Sequence, residues 1–284
     1  MPSPAIPKPK HIFRILHFSD IHTGLTDFQW GYLFDKRLFG RMNQFLTRQR
    51  RLHLDNLRRL AELQRSLEVD FTVCTGDLTS IGSDVEFRHA KDLLRPVLEY
   101  AGDHFLFVPG NHDAYVKGSA GHLADAFRDL NHGLELQDLP AVVDAGPVEF
   151  VLLNPARPCH VWLSTGELSE AAWRKLDYIL SSRPPEGKVR VLLTHFPPID
   201  HHNRPLSWRT RLLRHERLLE YAERHVFDAL LAGHVHHPFL FNLAPGGPVA
   251  LGAGSLTIQD SCAVLDVDSR DHSLTAHLLQ HTIP

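Results

Sequence analysis

The chain has 284 residues, which suits one large α/β domain or two small ones, and its 43% hydrophobic and 22% charged residues are typical of a globular protein with a core. Its net charge of −3 argues against nucleic-acid or membrane-surface binding by the molecule as a whole. The three cysteines are far apart and in no CxxC pair, which argues against a disulfide framework or a thiolate zinc site and favours a reducing compartment.

Residues 1–10 are Pro-rich and lack the apolar region of a signal peptide, so we expect a flexible lead-in. No apolar run reaches the roughly 18–20 residues that a transmembrane helix needs. Together these features predict a cytoplasmic protein. The count of 21 histidines is high for this length, and histidine is the commonest metal ligand and a good proton carrier near neutral pH.

The first part of the chain alternates strand-like and helix-like segments after the lead-in. Short apolar runs predict strands and apolar spacings of three and four predict helices. In chain order we expect a strand at 12–18, an aromatic and basic insertion at about 24–52, a helix from about 41 to 67, a strand at 70–75, a helix at 83–99, a strand at 104–108, a helix at 120–131 and two short strands within 141–154.

The second part begins with the same alternation and finishes in strands alone. We expect strands at 160–163 and 189–193, a helix at 167–181 that starts near Ser164 or Thr165, a helix at 209–225, and strands at 227–232, 239–243, 248–252, 262–267 and 273–280. Such an order predicts an α/β protein with two facing sheets and helices outside them, as a single domain over 1–284.

The insertion at about 24–52 combines aromatic side chains with a basic run. The basic residues in it are Lys36, Arg37, Arg41, Arg48, Arg50 and Arg51. Basic runs of this kind are usually solvated faces. The alternative is a surface for anionic substrates or lipid headgroups, which would give peripheral membrane contact.

Five strand-like runs end in side chains that bind metals. A single such ending is weak evidence, but five in succession are not expected by chance. Because the carboxyl ends of strands carry the sites of open α/β sheets, we expect these side chains to meet. The five endings are Asp20-x-His22, Gly76-Asp77, Gly110-Asn111-His112-Asp113, Thr194-His195 and Gly233-His234-x-His236.

The spacings suit a pair of metal ions. Residues i and i+2 beyond a strand can point to one region of space, as in Asp20/His22 and His234/His236. Two ions about 3.5–4 Å apart need a shared ligand, and the Asp77 carboxylate on its Gly-preceded turn can bridge them. Mixed nitrogen and oxygen ligation favours Mn, Fe or Zn over Ca or Mg.

The ordered set of motifs resembles the calcineurin-like metallophosphoesterase superfamily from about residue 12 to 258, with every motif intact. The resemblance implies a two-sheet β-sandwich flanked by helices, with a dinuclear metal centre at the strand ends. It implies that one metal takes Asp20, His22 and His236, that the other takes Asn111, His195 and His234, and that Asp77 bridges them.

The resemblance also places His112 near the leaving group, where it is a catalytic residue but not a ligand. Two metal ions lower the pKa of a shared water to give hydroxide near neutral pH. A protonated His112 can donate to the departing alkoxide. We therefore predict one in-line displacement with inversion at phosphorus. Asp113 is either a turn residue or a residue that orients His112 or a neighbouring group.

Other polar residues near the motifs receive structural interpretations. His201, His202 and His237 are expected in supporting or surface positions, with substrate contact by His202 or His237 as the alternative. Arg204 could bind a phosphate oxygen. His17 is expected inside a strand. Surface positions in helices are expected for His53, His89, His215 and His225.

The leading functional hypothesis is a phosphodiesterase that acts on a small, nucleotide-like phosphodiester, similar to the small bacterial phosphodiesterases. Gly76-Asp77 continues as Leu-Thr-Ser-Ile-Gly, which departs from the protein phosphatase signature. A hydrolase of lipid-linked phosphodiesters or pyrophosphates is the alternative, although His112 stands where the lipid A hydrolase carries Arg. A nuclease is disfavoured because the chain ends soon after the last motif and is acidic. A non-catalytic scaffold is disfavoured because the ligand set is complete.

Overall fold

The computed structural model describes residues 7–23, 53–160 and 162–280. These residues form eleven strands, five α-helices and two short 3₁₀-helices, at Lys117–Ser119 and Leu136–Asp138. In chain order the main elements are β1 (Ile12–Phe18), α1 (Asp55–Ser66), β2 (Phe71–Cys74), α2 (Asp84–Ala101), β3 (Phe105–Phe107), α3 (Ala120–Leu130), β4 (Ala141–Ala145), β5 (Val148–Leu152), α4 (Glu170–Ile179), β6 (Val189–Leu193), α5 (Glu216–Glu223), β7 (Ala229–Ala232), β8 (Pro238–Asn242), β9 (Val249–Ala253), β10 (Ser261–Asp268) and β11 (Leu274–Gln280).

The strands form two sheets, as the sequence predicts. The five-stranded sheet has the order β11-β10-β1-β2-β3, in which β1, β2 and β3 run parallel and β10 and β11 continue antiparallel. The six-stranded sheet has the order β4-β5-β6-β7-β9-β8, with four parallel central strands and antiparallel edges at β4 and β8. The predicted α/β layered class is confirmed.

The central strands are buried on both faces because helices cover their outer sides. The five residues of β6, for example, are all buried and all but Arg190 are aliphatic, as expected for a parallel strand between two layers. One hydrophobic cluster lies between the two sheets and extends under α1, α2 and α3. A second cluster packs α4 and α5 on the other face of the six-stranded sheet.

The helix α2 begins with a capping box. The Ser83 hydroxyl accepts a hydrogen bond from the backbone N–H of Glu86, and the Glu86 side chain accepts one from the backbone N–H of Ser83. The start of α2 is therefore fixed next to the loop that follows β2. This loop carries Asp77, so the cap connects the helix terminus to the edge of the sheet where the predicted metal-ligand motifs lie.

Three predicted elements differ from the structure. Residues 160, 162 and 163 form no strand. The helix predicted at 209–225 is confined to Glu216–Glu223, and α4 starts at Glu170 with Ser169 as its N-cap, not near Ser164 or Thr165. A contact between distant segments explains the two helix differences: Gly166 bridges Leu212 in parallel, and residues 208–215 otherwise form turns and a bend.

The expectations for residues 24–52, which include the basic run, lie outside the described residues, as do those for residues 1–6. Among the described residues, no helix combines the length and the apolar character needed to cross a membrane.

Candidate metal centre

All eight predicted site residues meet at the carboxyl ends of the strands. The ends of β1, β2 and β3 bring Asp20, His22, Asp77, Asn111 and His112 from one sheet. The ends of β6 and β7 bring His195, His234 and His236 from the other. The site therefore lies across the top of both sheets, where open α/β sheets place their ligands.

The backbone at this edge is held in an unusual conformation. Asp20, His22, Asp77, His234 and His236 all have positive φ, between 49° and 71°. Residues other than glycine rarely adopt this left-handed region, and such strain collects at functional sites, where the surrounding structure maintains it. Five of the seven predicted ligands thus turn sharply as they leave their strands.

Two glycines allow the strand ends to approach each other closely. Gly76 has φ of +102°, and a Cβ there would lie 2.6 Å from the backbone nitrogen of Gly110. A Cβ on Gly110 would lie 2.1 Å from Asp77 Oδ1. Neither position can accept a side chain without displacing the turn that presents Asp77.

Asp20, His22 and His236 form one group of ligand atoms. Asp20 Oδ1 lies 3.1 Å from His236 Nε2 and 3.7 Å from His22 Nε2. This oxygen is buried and has no hydrogen-bond partner among the described residues, while Oδ2 accepts the backbone N–H of His234 at 3.0 Å. A buried carboxylate oxygen is costly to leave unsatisfied, and a cation would satisfy it.

Asn111, His195 and His234 form a second group. Asn111 Oδ1 lies 2.9 Å from His234 Nδ1 and 3.2 Å from His195 Nε2. Asn111 and His195 are buried and His234 is partly buried. An amide oxygen and two imidazole nitrogens are a suitable partial ligand set for Mn, Fe or Zn.

Asp77 stands between the two groups. Its Oδ2 is 3.3 Å from His195 Nε2 in the second group and 3.9 Å from His22 Nε2 in the first. Its Oδ1 accepts the backbone N–H of His112 at 2.7 Å, which fixes the orientation of the carboxylate. Ligand atoms of Asp20, His22, Asp77 and His236 all lie within 4.8 Å of one another and could hold a metal ion.

Backbone carbonyls orient three of the histidines for metal binding. His195 Nδ1 is 2.7 Å from the Thr75 carbonyl, His234 Nε2 is 2.7 Å from the Thr210 carbonyl, and His22 Nδ1 is 3.3 Å from the Thr79 carbonyl. A carbonyl accepts, so each of these nitrogens donates its N–H. The other ring nitrogen then directs its lone pair into the cluster, which is the usual arrangement of a metal-binding histidine.

The electrostatics of the buried groups agree with this geometry. Burial lowers the pKa of His234 to about 4, so its ring is neutral. Burial also disfavours a charged His195, but the Asp77 carboxylate outweighs it and raises the pKa of His195 to about 9. A cation bound beside Asp77 would compete with the proton of His195, because a metal-binding imidazole must be neutral.

Asp113 supports the turn that carries Asp77. Its carboxylate accepts the backbone N–H groups of Asp77, Gly110 and Thr79 at 2.8, 3.0 and 3.0 Å, and the Thr79 hydroxyl at 3.1 Å. Burial and the neighbouring Asp77 raise the pKa of Asp113 to about 7, although the hydrogen bonds from these donors act to lower it. Of the two alternatives from the sequence, the structure supports a role in backbone positioning.

His112 lies at the edge of the cluster. Its Nδ1 is 2.7 Å from the Ser80 carbonyl, which places the Nδ1 proton there. Its ring meets that of His22 edge-on with centroids 4.8 Å apart and stacks on Tyr115. His112 also lines a pocket of about 340 Å³ that opens beside the ligand groups.

The pocket contains residues that the sequence did not single out. Its lining combines Asp77, Asn111 and metal-facing histidines with small polar side chains from two loops, namely Ser164, Ser207 and Thr210. The carbonyls that orient the histidines were not predicted either, because backbone groups leave no mark in the residue pattern. The capping signature Ser83-x-x-Glu86 could have identified Glu86.

The remaining histidines and Arg204 divide among the pocket, the surface and the buried interior. His201 lines the pocket and stacks on His237, with ring centroids 4.4 Å apart. Arg204 pairs with Asp200 on the surface. His17 is buried in β1, as expected, but His215 is also buried, contrary to its predicted surface position.

Two of the solved structures with a similar fold are phosphatases. A dimetal phosphatase from Danio rerio shares 17% identity and a TM-score of 0.62, with coverage of 96% of this chain and 99% of that chain. A purple acid phosphatase from yellow lupin shares 11% identity and a TM-score of 0.57 over 95% of this chain and 54% of that one. The chain thus spans about half of the lupin protein. At these identities the likeness establishes the fold.

Sequence comparison gives a relative and a family. A cAMP/cGMP dual specificity phosphodiesterase from Mycobacterium tuberculosis is 26% identical over 258 residues, which cover 89% of this chain and 70% of the relative. The family model of the calcineurin-like phosphoesterases matches residues 13–238, which contain every predicted site residue. This chain therefore belongs to the calcineurin-like phosphoesterase family and is a metal-dependent phosphoester hydrolase.

Proposed function

We propose that this protein is a phosphodiesterase that hydrolyses the P–O ester bond of small, nucleotide-like phosphodiesters with two bound metal ions. The observation that carries the proposal is the convergence of two ligand groups on one carboxylate, with Asp77 Oδ2 facing His195 at 3.3 Å and His22 at 3.9 Å. The mycobacterial relative, whose name gives cyclic nucleotides as its substrates, supports this substrate class.

The two groups give a ligand assignment. Asp20, His22 and His236 would hold one ion, and Asn111, His195 and His234 would hold the other. Asp77 would be shared by both groups, because its Oδ2 faces His22 in the first and His195 in the second, while its Oδ1 accepts the His112 N–H. Mn, Fe or Zn suits this mixture of donors.

The bound metals would supply a Lewis acid and a hydroxide nucleophile at neutral pH. The chain itself provides the remaining functions. Asp77 and Asn111 are held at fixed positions on adjacent turns, so the reacting phosphate would be oriented against a rigid edge. His112, whose Nδ1 proton is directed to the Ser80 carbonyl, would present Nε2 to the leaving oxygen and protonate it as general acid. The expected stereochemical result is inversion at phosphorus.

The charge of the pocket favours diesters over monoesters. The described lining residues include no lysine or arginine, and the one lining carboxylate outside the metal centre, Asp200, is paired with Arg204. A phosphomonoester is a dianion near neutral pH, whereas a diester is a monoanion. Without a cationic side chain to balance the second charge, the monoanion fits this pocket better.

Activity of the manganese-loaded protein tests the proposal. We expect turnover of bis-p-nitrophenyl phosphate and of 2′,3′- or 3′,5′-cyclic nucleotides to exceed that of p-nitrophenyl phosphate. Preference for the monoester by a wide margin would remove the diester assignment.

The variant Asn111→Ala tests the site. We expect it to bind less metal and to lose at least ~100-fold in rate, because a metal ion contributes several kcal/mol of transition-state stabilisation. Asn242→Ala, on the exposed end of β8, is the matched control and should change neither quantity. Unchanged metal content and rate in Asn111→Ala would refute the assignment.

A further inference from the structure

Two tryptophans are exposed to an unusual degree. Trp162 has 72% and Trp208 61% of its surface accessible, although tryptophan is highly buried on average. Exposed aromatic rings that belong to one neighbourhood usually mark a binding surface.

Both tryptophans lie beside the pocket of the metal centre. Trp208 directly follows Ser207 and precedes Thr210 by two residues, and Trp162 precedes Ser164 by two residues. Ser164, Ser207 and Thr210 line the pocket. Because two residues span at most about 7 Å of extended chain, the Cα atom of each tryptophan lies within about 7 Å of the Cα atom of a residue that lines the pocket.

The two loops are joined to each other and to the metal centre. The backbone N–H of Ser164 donates to the Arg209 carbonyl at 2.8 Å, and further along the same two segments Gly166 bridges Leu212. The Thr210 carbonyl accepts the Nε2 proton of His234 at 2.7 Å. The loop that carries Trp208 is therefore fixed relative to a proposed metal ligand.

The surroundings of the tryptophans are polar and basic. The guanidinium of Arg209 lies 5.1 Å from the centroid of the Trp208 ring, a cation–π contact that restrains the indole. Arg211 follows Thr210, and its buried Nε has no hydrogen-bond partner among the described residues. A flat ring next to arginines suits a planar, hydrogen-bonding aromatic ligand with a phosphate. An acyl chain would need a continuous apolar surface, which these serine, threonine and arginine neighbours interrupt.

We propose that Trp162, Trp208 and Arg209, the aromatic rim, form a nucleobase subsite in which the base of the substrate stacks on an indole while its phosphate lies at the metal centre. The subsite rests on the proposed phosphodiesterase function and specifies its substrate class as nucleotides. Base–aromatic stacking tolerates every base, so the rim selects nucleotides over other diesters without selecting one base.

Steady-state kinetics on a matched pair of substrates tests the rim. The pair is 2′,3′-cyclic AMP and the 2,3-cyclic phosphate of methyl ribofuranoside, which lacks the base. We expect Trp208→Ala and Trp162→Ala each to lower kcat/KM for cyclic AMP about tenfold, mainly through KM, and to leave the abasic substrate unchanged. Trp208→Phe should retain most of the activity. Tyr178→Ala removes an aromatic ring that is 80% exposed on α4, and should have no effect on either substrate.

Calorimetric binding of AMP and ribose 5-phosphate provides a readout that does not need turnover. We expect AMP to bind about tenfold more tightly to the wild-type protein, and the difference to disappear in the double variant Trp162→Ala/Trp208→Ala. Equal binding of the two ligands by the wild-type protein, with normal hydrolysis of bis-p-nitrophenyl phosphate, would overturn the subsite and leave the phosphodiesterase proposal intact.

Other outcomes are also decisive. Failure of the metal-loaded protein to hydrolyse bis-p-nitrophenyl phosphate would overturn the proposed function, whereas the AMP comparison would still decide on the rim. Weaker binding of the double variant to anionic phospholipid vesicles, with unchanged AMP affinity, would assign the rim to a lipid surface and overturn the nucleobase subsite.

Discussion

The four residues 110–113 divide one turn among different functions. Gly110 allows close approach to Asp77, and Asn111 directs its oxygen to two histidines. His112 faces the pocket, and Asp113 holds the neighbouring backbone through three N–H groups. Two residues of the candidate site therefore stand between two residues that support the backbone, which explains why the tetrapeptide alone resembles an ordinary turn sequence.

His112→Gln should separate substrates by their leaving groups. A general acid contributes roughly 10²–10⁴-fold when the leaving alkoxide is a strong base, and little when it is a stable phenolate. We expect kcat for a cyclic nucleotide to fall by about 100-fold or more, and kcat for bis-p-nitrophenyl phosphate to fall by less than about tenfold. The test is to measure steady-state rates on both substrates, and metal content, for the wild-type protein and for His112→Gln.

His122→Gln, which changes an exposed histidine on α3, serves as the control for His112→Gln. Equal losses on both substrates in His112→Gln would indicate that the ring positions substrate or metal and does not transfer a proton to the leaving group.

The loop between β2 and α2 is organised by a buried carboxylate. Glu86 is fully buried, and its oxygens accept the backbone N–H groups of Ser80, Ile81 and Ser83 at 3.1, 3.1 and 3.2 Å. The carbonyl of Ser80 in turn accepts the Nδ1 proton of His112. Glu86 thus connects the start of α2 to the orientation of the proposed general acid.

Glu86→Gln should reduce catalysis through His112 and leave the metals in place. A glutamine NH₂ cannot accept a hydrogen bond, so at least one loop N–H would lose its acceptor and the Ser80 carbonyl would shift. We expect unchanged metal content, a kcat for cyclic nucleotides lowered about tenfold, and little change with bis-p-nitrophenyl phosphate.

Glu99→Gln, at an exposed position of the same helix, is the matched control for Glu86→Gln and should behave as wild type. If Glu86→Gln slowed both substrates alike, Glu86 would have a general role in stability and no specific connection to His112.

The elements that could be predicted from the sequence are those marked by a local pattern of apolar residues. The apolar runs at 189–193 and 262–267 are buried on both sides and correspond to β6 and β10. The turns at 209–215 could not be predicted, because Leu212 and Leu213 have helix-compatible spacings but Leu212 bridges Gly166, which is distant in sequence. Long-range pairing of this kind overrides local periodicity.

The candidate site also combines features that the local sequence predicts with features that depend on long-range contacts. Its side chains follow strands and have the chemistry of metal ligands, so their approach to one another was predictable. The partners that orient them are the carbonyls of Thr75, Thr79 and Thr210, and any residue type supplies a carbonyl. The positions of these carbonyls depend on the packing of both sheets, which no single segment encodes.

The whole molecule holds the site by packing two sheets with a buried polar layer behind the ligands. His17 in β1 belongs to this layer: it is fully buried, and its Nε2 is 2.8 Å from the Thr75 hydroxyl. Thr75 also supplies the carbonyl that orients His195 in the other sheet. Thr75 therefore connects the buried His17 in one sheet to His195 in the other.

His17 should make the stability of the whole molecule depend on pH. Burial lowers its pKa to about 3, with Asp20 opposing, whereas an unfolded histidine has a pKa near ~6.5. Between these values the unfolded state binds the proton that the folded state excludes. Stability is therefore complete above pH ~6.5 and decreases as the pH falls toward ~3. His17→Gln keeps a partner for Thr75 and removes this titration, so its free energy of unfolding should fall less, by about 2 kcal/mol, between pH ~8 and pH ~5.

Urea unfolding of the metal-free proteins at the two pH values measures this difference, since chelation removes the contribution of metal binding. His122→Gln is the matched control, because it removes an exposed histidine from α3 and leaves His17 in place. Parallel pH profiles of the wild-type protein and His17→Gln would show that the buried ring accepts its proton without disturbing the sheets. The packing around Thr75 would then tolerate a charge behind the metal centre.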